Sequence, residues 1–501
     1  MAGRDTIPPE TDKSMTDGRK AGVIRGDRFS GGPARSFLSS LAADERIFAA
    51  DLAVDRAHVV MLAECEIMPA ATAEAILAAL DVIEADGHDG LPAGEDVHEA
   101  IETAVVESIG EEGGRMHTAR SRNDEVATCI RYRLREDVLD ALEATLSLRA
   151  VLVEVATEHT ETLVAGYTHL QPAQPTTVAH WALSYESAIS RDTTRLLEAY
   201  ARINRSPLGA AAFAGTPFPI DRERTADLLG FDGLVENAMD AAASRDFLLE
   251  TTQVLSTLAT TLSGLAEDLI VFANRGFVDL ADDYASTSSI MPQKKNPDTL
   301  ELVRAVAGDA ASGVQGITTT LKGLPRAYNR DLQRATPHAW RTVDAVTEAT
   351  DVTAGAVATA DWNEERLTAE AGAGFSTATG VADALAAAGV PFRTAHEVVA
   401  NVAGTVDPNE SVAVDDVTVA LERELGQPLE TDFDRETIVD SLDPAESVAS
   451  RNSRGGPAPE STRDALAGVE AAIDADRKSL ESRRAVLEDS IERLQEAMDD
   501  L

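Results

Sequence analysis

Lysine, cysteine and aromatic residues are all scarce in this sequence. Its 501 residues include six lysines and two cysteines, and 4% of them are aromatic. Two cysteines, Cys65 and Cys129, cannot form a disulfide framework and fit a reducing cytosol. No apolar run approaches the roughly 18 residues of a membrane span, and residues 1–20 lack the apolar core of a signal peptide. We therefore expect a cytoplasmic protein without a membrane-spanning segment.

Positive charge is also in short supply. Lysine and arginine total 44 against 86 acidic residues, which gives a formal net charge of −42. Such a charge repels phosphate backbones and anionic lipids, so we expect neither nucleic acid nor membrane as a partner. An ordinary hydrophobic content of 44% places the acidity on the surface of a packed protein. Acidic, lysine-poor surfaces favour solubility at high salt and thus a halophile's cytoplasm; an acidic protein from ordinary salt is the alternative.

Strand signals are few, and the apolar residues recur at the 3.6-residue spacing of amphipathic helices. The clearest helical stretches run from Val126 to His159, Val178 to Ile203, Ala241 to Asn274, Asp298 to Leu321 and Thr336 to Asp361. Helices this long bury themselves mainly against each other, so the sequence predicts a mainly all-α fold with a central long-helix bundle. Shifts in composition predict three domains at residues 1–122, 123–369 and 370–501.

Apolar residues near the C-terminus recur at seven-residue intervals. They are Ile473, Leu480, Leu487, Leu494 and Leu501. Arg477 and Arg484 occupy intervening seam positions, so only half of a coiled-coil seam is apolar. A helix that packs on its own subunit is therefore favoured, and a long coiled coil is the alternative.

Two of the six lysines stand side by side in STSSIMPQKKNPD, from Ser286 to Asp298. A serine is a weak base unless nearby positive charge and backbone donors lower its pKa. Lys294 lies six residues after Ser288 and would supply that charge if the loop folds back. Lysine is the residue that brings a compact point charge to an anion. We therefore interpret Ser288 as a base and Lys294 as its cation; a polar loop with chance lysines is the alternative.

A second unusual stretch is GYTHLQPAQPTT, from Gly166 to Thr177. His169 follows Thr168 in a loop whose backbone is restricted by prolines. A histidine there can exchange protons near neutral pH if a carboxylate orients it. A lone histidine more often has a structural role, which is our interpretation of His180. His169 is singled out because threonine and glutamines around it offer further ligand-binding groups.

A third stretch, HTARSRND from His117 to Asp124, leads into a long helix. Arg120, Arg122 and Asn123 at a helix N-terminus form an anion-binding arrangement, because backbone N–H groups and the helix dipole add to the guanidinium charge. An arginine-rich helix start without a ligand is the alternative. A fourth run, YNRDLQ at residues 328–333, mixes hydrogen-bonding side chains but is a weak signal alone.

Metal and cofactor motifs are missing from the sequence. It has no HExxH pattern, no cysteine pair, no P-loop and no GxGxxG motif after a strand. We therefore expect neither metal nor cofactor, with serine, histidine and lysine for proton transfer and arginines for carboxylates. The reaction class that fits is proton removal next to a carboxylate, followed by loss of a leaving group.

Taken together, these stretches resemble the aspartase/fumarase superfamily and, within it, the argininosuccinate lyases. The resemblance runs from about Arg28 to Glu460 and includes RINRSPLG (202–209) and MDAAASRDF (239–247). The QKKNPD run separates argininosuccinate lyases from fumarases and adenylosuccinate lyases. The resemblance implies a three-domain helical subunit whose central helices form a homotetramer, with each active site built from loops of three subunits. It also implies cleavage of argininosuccinate to arginine and fumarate by base-catalysed β-elimination, the last step of arginine biosynthesis.

The resemblance also assigns roles to residues of this sequence. Ser288 corresponds to the proton-abstracting serine, Lys294 to the cation that stabilises the aci-carboxylate intermediate, and His169 to the acid or helper, paired with Glu301. The residues implied for the succinyl carboxylates are Ser40, Arg122, Asn123, Thr168 and Asn296. Tyr328 and Gln333 would hold the guanidino-acid end, and Asp96 matches an acidic position near the substrate.

Three positions depart from the family pattern. Thr287 replaces the glycine before the serine pair, which stiffens a loop expected to close over substrate. Thr336 replaces a lysine at the amino-acid end, where Arg330 or Arg334 is our hypothesis for the substitute, and Arg56 stands at another lysine position. Two rival functions remain: another fumarate-releasing lyase of the superfamily, and a non-catalytic structural paralogue of the crystallin kind.

Overall fold

The computed structural model describes residues 33–405, 412–426 and 435–501, and these are mainly α-helical. The start of the predicted 1–122 domain and two short parts of the predicted 370–501 domain lie outside the described residues. Among the residues described, the N-terminal helices are α1 (Pro33–Leu38), α2 (Phe48–Glu64), α3 (Ala70–Asp86) and α4 (Val97–Ile109). Short 3₁₀ helices lie at Leu41–Ile47, His88–Gly90, Glu111–His117, Asp282–Tyr284 and Arg330–Arg334.

The centre of the chain consists of long helices with two short ones between them. They are α5 (Arg122–Glu158), α6 (Val178–Ile203), α7 (Arg222–Leu228), α8 (Ala238–Ala243), α9 (Asp246–Arg275), α10 (Asp298–Leu321) and α11 (Thr336–Ala358). The later helices are α12 (Glu364–Ala371), α13 (Ala378–Ala387), α14 (Phe392–Ala403), α15 (Val414–Leu425), α16 (Arg435–Leu442), α17 (Pro444–Ala449) and α18 (Pro459–Asp499). The predicted all-α fold with a central long-helix bundle is confirmed.

The five long helices α5, α6, α9, α10 and α11 pack on one another as an antiparallel bundle. Helices α5, α9 and α11 begin at the same end, because Asn123, Arg245 and Thr336 line one cavity there. We call this the cavity end. At the other end, Trp362, just after α11, contacts Trp181 near the start of α6 at a ring distance of 5.4 Å. We call it the hairpin end, after the strands described next.

Three two-stranded antiparallel sheets lie at the hairpin end. Their strands are β1 (Leu163–Thr168) with β2 (Gln171–Thr177), β3 (Val278–Asp279) with β6 (Asp361–Trp362), and β4 (Ser286–Thr287) with β5 (Lys295–Asn296). The stretch from Gly166 to Thr177 was expected to be a loop, and that expectation was wrong. Each strand of a two-stranded sheet has an unpaired edge, so Pro172 and Pro175 are tolerated in β2.

Two helices begin and end where the periodicity of apolar residues predicted. The observed α6 and α10 coincide with the predicted stretches, and Thr177 caps α6 by accepting a hydrogen bond from the His180 N–H. The predicted helix from Ala241 to Asn274 is instead divided into α8 and α9. The backbone of Ser244 is extended there, and its carbonyl accepts a hydrogen bond from the Arg245 guanidinium at 2.8 Å.

Two hydrophobic cores are formed. The main core joins α2–α4 to the bundle and to α18, and a smaller one lies among α13–α16. In the main core, α18 packs along α5 and buries Ile473, Leu480 and Leu494, so the predicted packing of this helix on its own subunit is confirmed. Among the described residues, α9 alone has the length and apolar composition of a membrane span. A central bundle helix that packs on α6, α10 and α11 needs the same composition.

Candidate active site

A cavity of about 350 Å³ opens at the cavity end of the bundle. It brings together six of the predicted substrate-binding residues from four separate parts of the chain: Ser40, Asp96, Arg122, Asn123, Tyr328 and Gln333. Its lining mixes hydroxyl, amide, carboxylate and guanidinium groups with apolar side chains, as binding of a charged, hydrogen-bonding small molecule requires.

Arg122 and Asp96 form the charged centre of this cavity. Asp96 caps α4 by accepting a hydrogen bond from the Glu99 N–H at 2.8 Å, and Arg122 is the first residue of α5. Arg122 Nη1 lies 3.2 Å from Asp96 Oδ2. Ser121 caps α5, so the N-terminus of a 37-residue helix points its dipole to the same place. A guanidinium at a helix N-terminus is suited to binding a carboxylate.

Asn123 is held by a segment far along the chain. Its Nδ2 donates a hydrogen bond to the Ala212 carbonyl at 3.0 Å. The next residue, Asp124, is buried, and its Oδ2 accepts hydrogen bonds from the backbone N–H groups of Gly209 and Ala211. Burial raises the pKa of Asp124 to about 6. These contacts leave the Asn123 amide with one fixed partner and a fixed direction.

The opposite wall of the cavity supplies hydroxyl and amide groups. The Ser40 hydroxyl donates to Asp44 Oδ2 at 2.7 Å, and Gln333 Nε2 donates to the Leu38 carbonyl at 3.3 Å. Burial raises the pKa of the Tyr328 phenol, so it stays protonated and remains a hydrogen-bond donor. This wall can therefore both donate and accept hydrogen bonds.

Arg120 has a different role from the one predicted. Its guanidinium is buried and pairs with Asp55 at 2.5 Å and with Glu125 at 2.9 Å. Buried carboxylates require such a partner, because desolvation disfavours their charge. The predicted placement of Arg120 among anion-binding groups was therefore wrong, since its charge is already neutralised. Sequence spacing does not distinguish an arginine that turns inward from one that turns towards the cavity.

His98 belongs to the same buried network and also lines the cavity. Its Nδ1 lies 2.8 Å from Asp51 Oδ2 and 3.8 Å from Glu125 Oε1. Burial by itself would lower the pKa of His98, but the charges of Asp51 and Glu125 raise it to about 10. A protonated His98 thus compensates the buried carboxylates beneath the cavity floor.

Thr336 lines the cavity, as do both arginines proposed to replace the family lysine. Arg330 is paired with the buried carboxylate of Glu95. Arg334 is exposed, and its guanidinium lies 6.0 Å from the centre of the Phe37 ring. Of the two, Arg334 is the one whose charge is not already paired with a buried carboxylate.

Arg245 is a cavity residue that the sequence reasoning missed. It is buried, and burial lowers its pKa to about 10. Its Nη1 donates to the Ser244 carbonyl, and among the described residues its Nε has no hydrogen-bond partner. The sequence pointed to the run MDAAASRDF only through its resemblance to a family. One signal could have identified Arg245: it lies in a helical stretch and has no acidic residue three or four positions before it.

Ser288 lies at the hairpin end, in a loop closed by β4 and β5. The Ser288 N–H donates to the Lys294 carbonyl at 3.1 Å, so the loop folds back between these two residues. Ser288 Oγ accepts hydrogen bonds from the backbone N–H groups of Met291 at 3.1 Å and Ile290 at 3.4 Å. Such donors stabilise an ionised hydroxyl. Lys295 pairs instead with Asp282 at 3.0 Å and with Asp279 at 3.2 Å.

The remaining predicted residues also lie at the hairpin end. His169 is exposed at the turn between β1 and β2, next to Thr168, with a positive φ of 56°. Strained backbone of this kind in a non-glycine residue is often found at functional sites. Asn296 is in β5, and Glu301 is exposed on the first turn of α10. His180 has ring contacts to Thr176 at 2.9 Å and to the Gly455 carbonyl at 3.1 Å, a structural role.

The two groups of predicted residues are far apart within one chain. Helix α5 separates Asn123 from His169, and its 37 residues span about 55 Å at 1.5 Å per residue. Helix α10 separates Ser288 from Tyr328, and its 24 residues span about 36 Å. A small ligand in the cavity therefore cannot reach Ser288 or His169 of the same chain.

Comparison with known proteins covers almost the whole chain. The family models that match are described as Lyase, over residues 36–311, and Argininosuccinate lyase C-terminal, over residues 375–449. The argininosuccinate lyase of Haloarcula marismortui is 63% identical over 484 residues, covering 96% of this chain and 97% of that protein. The argininosuccinate lyase of Natronomonas pharaonis is 66% identical over 465 residues, covering 93% and 94%.

Solved structures with the same fold are also found. EDDS lyase in complex with formate superposes with a TM-score of 0.83 at 33% identity, covering 94% of this chain and 95% of that one. Fumarate lyase:delta crystallin from Brucella melitensis bound to cobalt superposes with a TM-score of 0.67 at 20% identity, covering 81% and 91%. The second likeness concerns the fold alone.

Proposed function

The chain belongs to the argininosuccinate lyase family, whose reaction is the cleavage of argininosuccinate to arginine and fumarate, and on that premise we propose how its own residues bind and cleave this substrate. The structural observation that carries the proposal is the cavity shared by Ser40, Asp96, Arg122, Asn123, Tyr328 and Gln333. These groups match a substrate with carboxylates at both ends and a guanidino group between them.

Ser288 removes the proton from Cβ of the succinyl part. Its ionised oxygen is stabilised by the backbone N–H groups of Ile290 and Met291 and by the charge of Lys294. The electrons of the broken C–H bond pass into the neighbouring carboxylate, giving the aci-carboxylate that Lys294 also stabilises. They then form the C=C bond of fumarate while the C–N bond breaks, and the guanidino nitrogen leaves with its electron pair. His169, oriented by Glu301, acts as acid or helper, and the steps use proton transfer without metal or cofactor.

The succinyl carboxylates are bound by Ser40, Arg122, Asn123, Thr168 and Asn296. The guanidino-acid end is bound by Tyr328 and Gln333. At the position of the family lysine, Arg334 replaces the charge that Thr336 lacks, because Arg330 is occupied by Glu95. Arg334 itself lines the cavity, and its planar guanidinium can bind the α-carboxylate with two parallel hydrogen bonds.

The active site is assembled between copies of the chain. Helices α10 and α5, which span about 36 Å and 55 Å, separate the binding cavity from Ser288 and His169 by far more than the length of the substrate. Placing the cavity end of one copy at the hairpin end of others brings the two groups together, and we propose a homotetramer in which three subunits form each site. Within the subunit we propose domains at residues 1–122, 123–369 and 370–501, and we place the enzyme in the cytoplasm of a halophile.

Fumarate release, followed by absorbance, tests the proposal with argininosuccinate, aspartate and malate as parallel substrates. Release from argininosuccinate alone is the expected result. Release from aspartate or malate instead would indicate another lyase of the superfamily, and no release from any substrate would indicate a structural paralogue. Repeating the assay from low to molar KCl tests the halophile origin, because salt screens the repulsion of an acidic surface. Maximal activity at low salt with an intact tetramer would contradict that origin.

A further inference from the structure

The C-terminal half of α18 packs on α5 and on α7. Arg484 of α18 pairs with Glu143 at 2.7 Å and with Asp140 at 3.0 Å, both on α5. Further along, Arg493 donates to the Asp227 carbonyl of α7 at 3.1 Å. The helix thus reaches from the bundle to the turn that follows α7.

Ser490 of α18 packs directly against Gly230. A Cβ added to Gly230 would lie 2.7 Å from Ser490 Oγ and 2.9 Å from Ser490 Cβ. Ser490 is 2% exposed, and Gly230 has a positive φ of 68°. Both residues must be small for α18 to approach the turn this closely, because a contact under 3 Å forces one of them to move.

The same turn is held from its other side by α5. The buried Arg135 donates hydrogen bonds to the Leu229 carbonyl at 2.9 Å and to the Gly230 carbonyl at 2.8 Å, and a third to Asn204 Oδ1 at 2.8 Å. The turn is therefore held between α5 and α18, and a displacement of α18 would remove its support on one side.

This turn belongs to a segment, residues 204–235, that is closed on itself. The Ser206 N–H donates to the Gly233 carbonyl at 2.7 Å, and the Val235 N–H donates to the Ser206 carbonyl at 2.9 Å. Arg222 ties its middle, donating from Nε to the Leu208 carbonyl at 2.7 Å. Because these hydrogen bonds join its two ends and its middle, the segment moves as a unit. The position of the turn at Gly230 therefore also sets the position of the segment's tip, at residues 209–212.

The tip of the 204–235 segment meets the candidate active site. The Ala212 carbonyl accepts the hydrogen bond of Asn123 Nδ2, and the N–H groups of Gly209 and Ala211 both bind Asp124. Contacts therefore run without a gap from Ser490, through the 204–235 segment, to the amide of Asn123.

We propose that Ser490, with the C-terminal half of α18, positions Asn123 for binding of a succinyl carboxylate. Ser490 does not touch the substrate; it acts through Gly230 and the 204–235 segment as a positioning residue. The inference rests on the proposed function of Asn123. Because Asn123 binds a group present in both substrate and transition state, its misplacement weakens binding more than turnover.

The first test compares Ser490→Leu with Ser482→Leu, which makes the same change at an exposed position of the same helix. We expect Ser490→Leu to raise KM for argininosuccinate about tenfold with kcat changed less, since small displacements of a binding group are costly. Ser482→Leu should leave both constants unchanged. Normal KM in a folded Ser490→Leu tetramer would overturn the proposal.

The second test is a double-mutant cycle with Asn123→Ala. If Ser490 acts through Asn123, Ser490→Leu adds no further rise in KM to the Asn123→Ala enzyme. Additive effects would show that Ser490 acts by another route and would overturn the positioning role. An unchanged KM in Asn123→Ala alone would overturn both the proposed binding role and this inference.

A milder variant keeps the proposal testable should Ser490→Leu fail to fold. Arg493→Ala removes the contact with Asp227 without adding volume, and Arg477→Ala is its matched control at an exposed position of α18. We expect a rise of about twofold in KM for Arg493→Ala alone, the size of a surface contact. Equal KM values for the two variants would count against the proposal.

Discussion

The guanidinium of Arg122 lies 3.2 Å from the carboxylate of Asp96, so the residue that begins α5 is paired with the residue that caps α4. Neither helix alone would hold both groups in the cavity. The pair fixes the direction of Arg122, whose Nη2 also lies 3.9 Å from the buried carboxylate of Glu99. The side chain of Arg122 is one-fifth exposed, which leaves room for a small anion to approach.

Arg122→Lys should raise KM for argininosuccinate about tenfold or more. An ammonium cannot contact Asp96 and a substrate carboxylate with separate, fixed donors as a guanidinium does. Steady-state kinetics measure the change. The control is Arg133→Lys on the same helix, whose partners are the surface-facing Glu136 and the neighbouring Asp137. Equal KM values in the two variants would remove Arg122 from the binding site.

Ser288→Ala should lower kcat by about a thousandfold or more and leave the tetramer intact, because it removes the catalytic base without disturbing a core. Turnover and gel filtration provide the measurements. Ser289→Ala changes the adjacent, exposed serine and should retain most of the activity. Near-normal turnover in Ser288→Ala would refute the proposed mechanism.

Mixed tetramers should recover activity at low argininosuccinate concentration, where both parents are impaired. Ser288→Ala and Asn123→Ala remove groups at opposite ends of the bundle, so a site built from different copies can receive an intact group from each. The two variants are dissociated, mixed and reassembled, and fumarate release is then measured well below the KM of the Asn123→Ala enzyme. Activity no greater than the sum of the separate variants would indicate that each site lies within one chain.

Asp124 should make unfolding pH-dependent. Burial raises its folded pKa from 3.8 to about 6, so the folded state binds the proton more tightly than the unfolded state. Its contribution to stability is therefore present at low pH and is lost as pH rises through about 6. When the pH is lowered from 8 to 5, the free energy of unfolding of the wild type should rise by about 1.4 kcal/mol relative to that of Asp124→Asn, which is the free energy that corresponds to one pKa unit. Thermal unfolding of both proteins measures this, and a difference independent of pH would contradict it.

The sequence pattern was sufficient to predict those features that depend on interactions between residues close together in the chain. The spacing of apolar residues predicted α6 and α10 to the residue, because each helix has one buried face, and α6 also has a capping threonine at its start. The seven-residue interval in α18 correctly indicated packing on the same subunit, because charged seam residues weaken a coiled coil. Of the residues that line the cavity, Arg122, Asn123, Tyr328 and Gln333 lie in stretches that the sequence marked as unusual, whereas Arg245 was missed.

Other features depended on contacts between distant residues. The break at Ser244 and the pairing of β1 with β2 oppose what composition alone suggested. Arg120 precedes the cap of α5 and Arg122 is its first residue, yet Arg120 is buried with Asp55 and Arg122 lines the cavity. The position of Asp55 on α2 decides which of the two arginines meets a buried carboxylate.

The sequence by itself determined the fold class, the acidic surface and the chemistry of each stretch, because these follow from composition, periodicity and side-chain type. Tertiary structure decided which of those stretches meet. It gathered six residues into one cavity, left Ser288 and His169 at the far end of helices tens of ångströms long, and neutralised Arg120 with buried carboxylates. Such outcomes depend on helix direction and on burial, and both are properties of the packed chain as a whole.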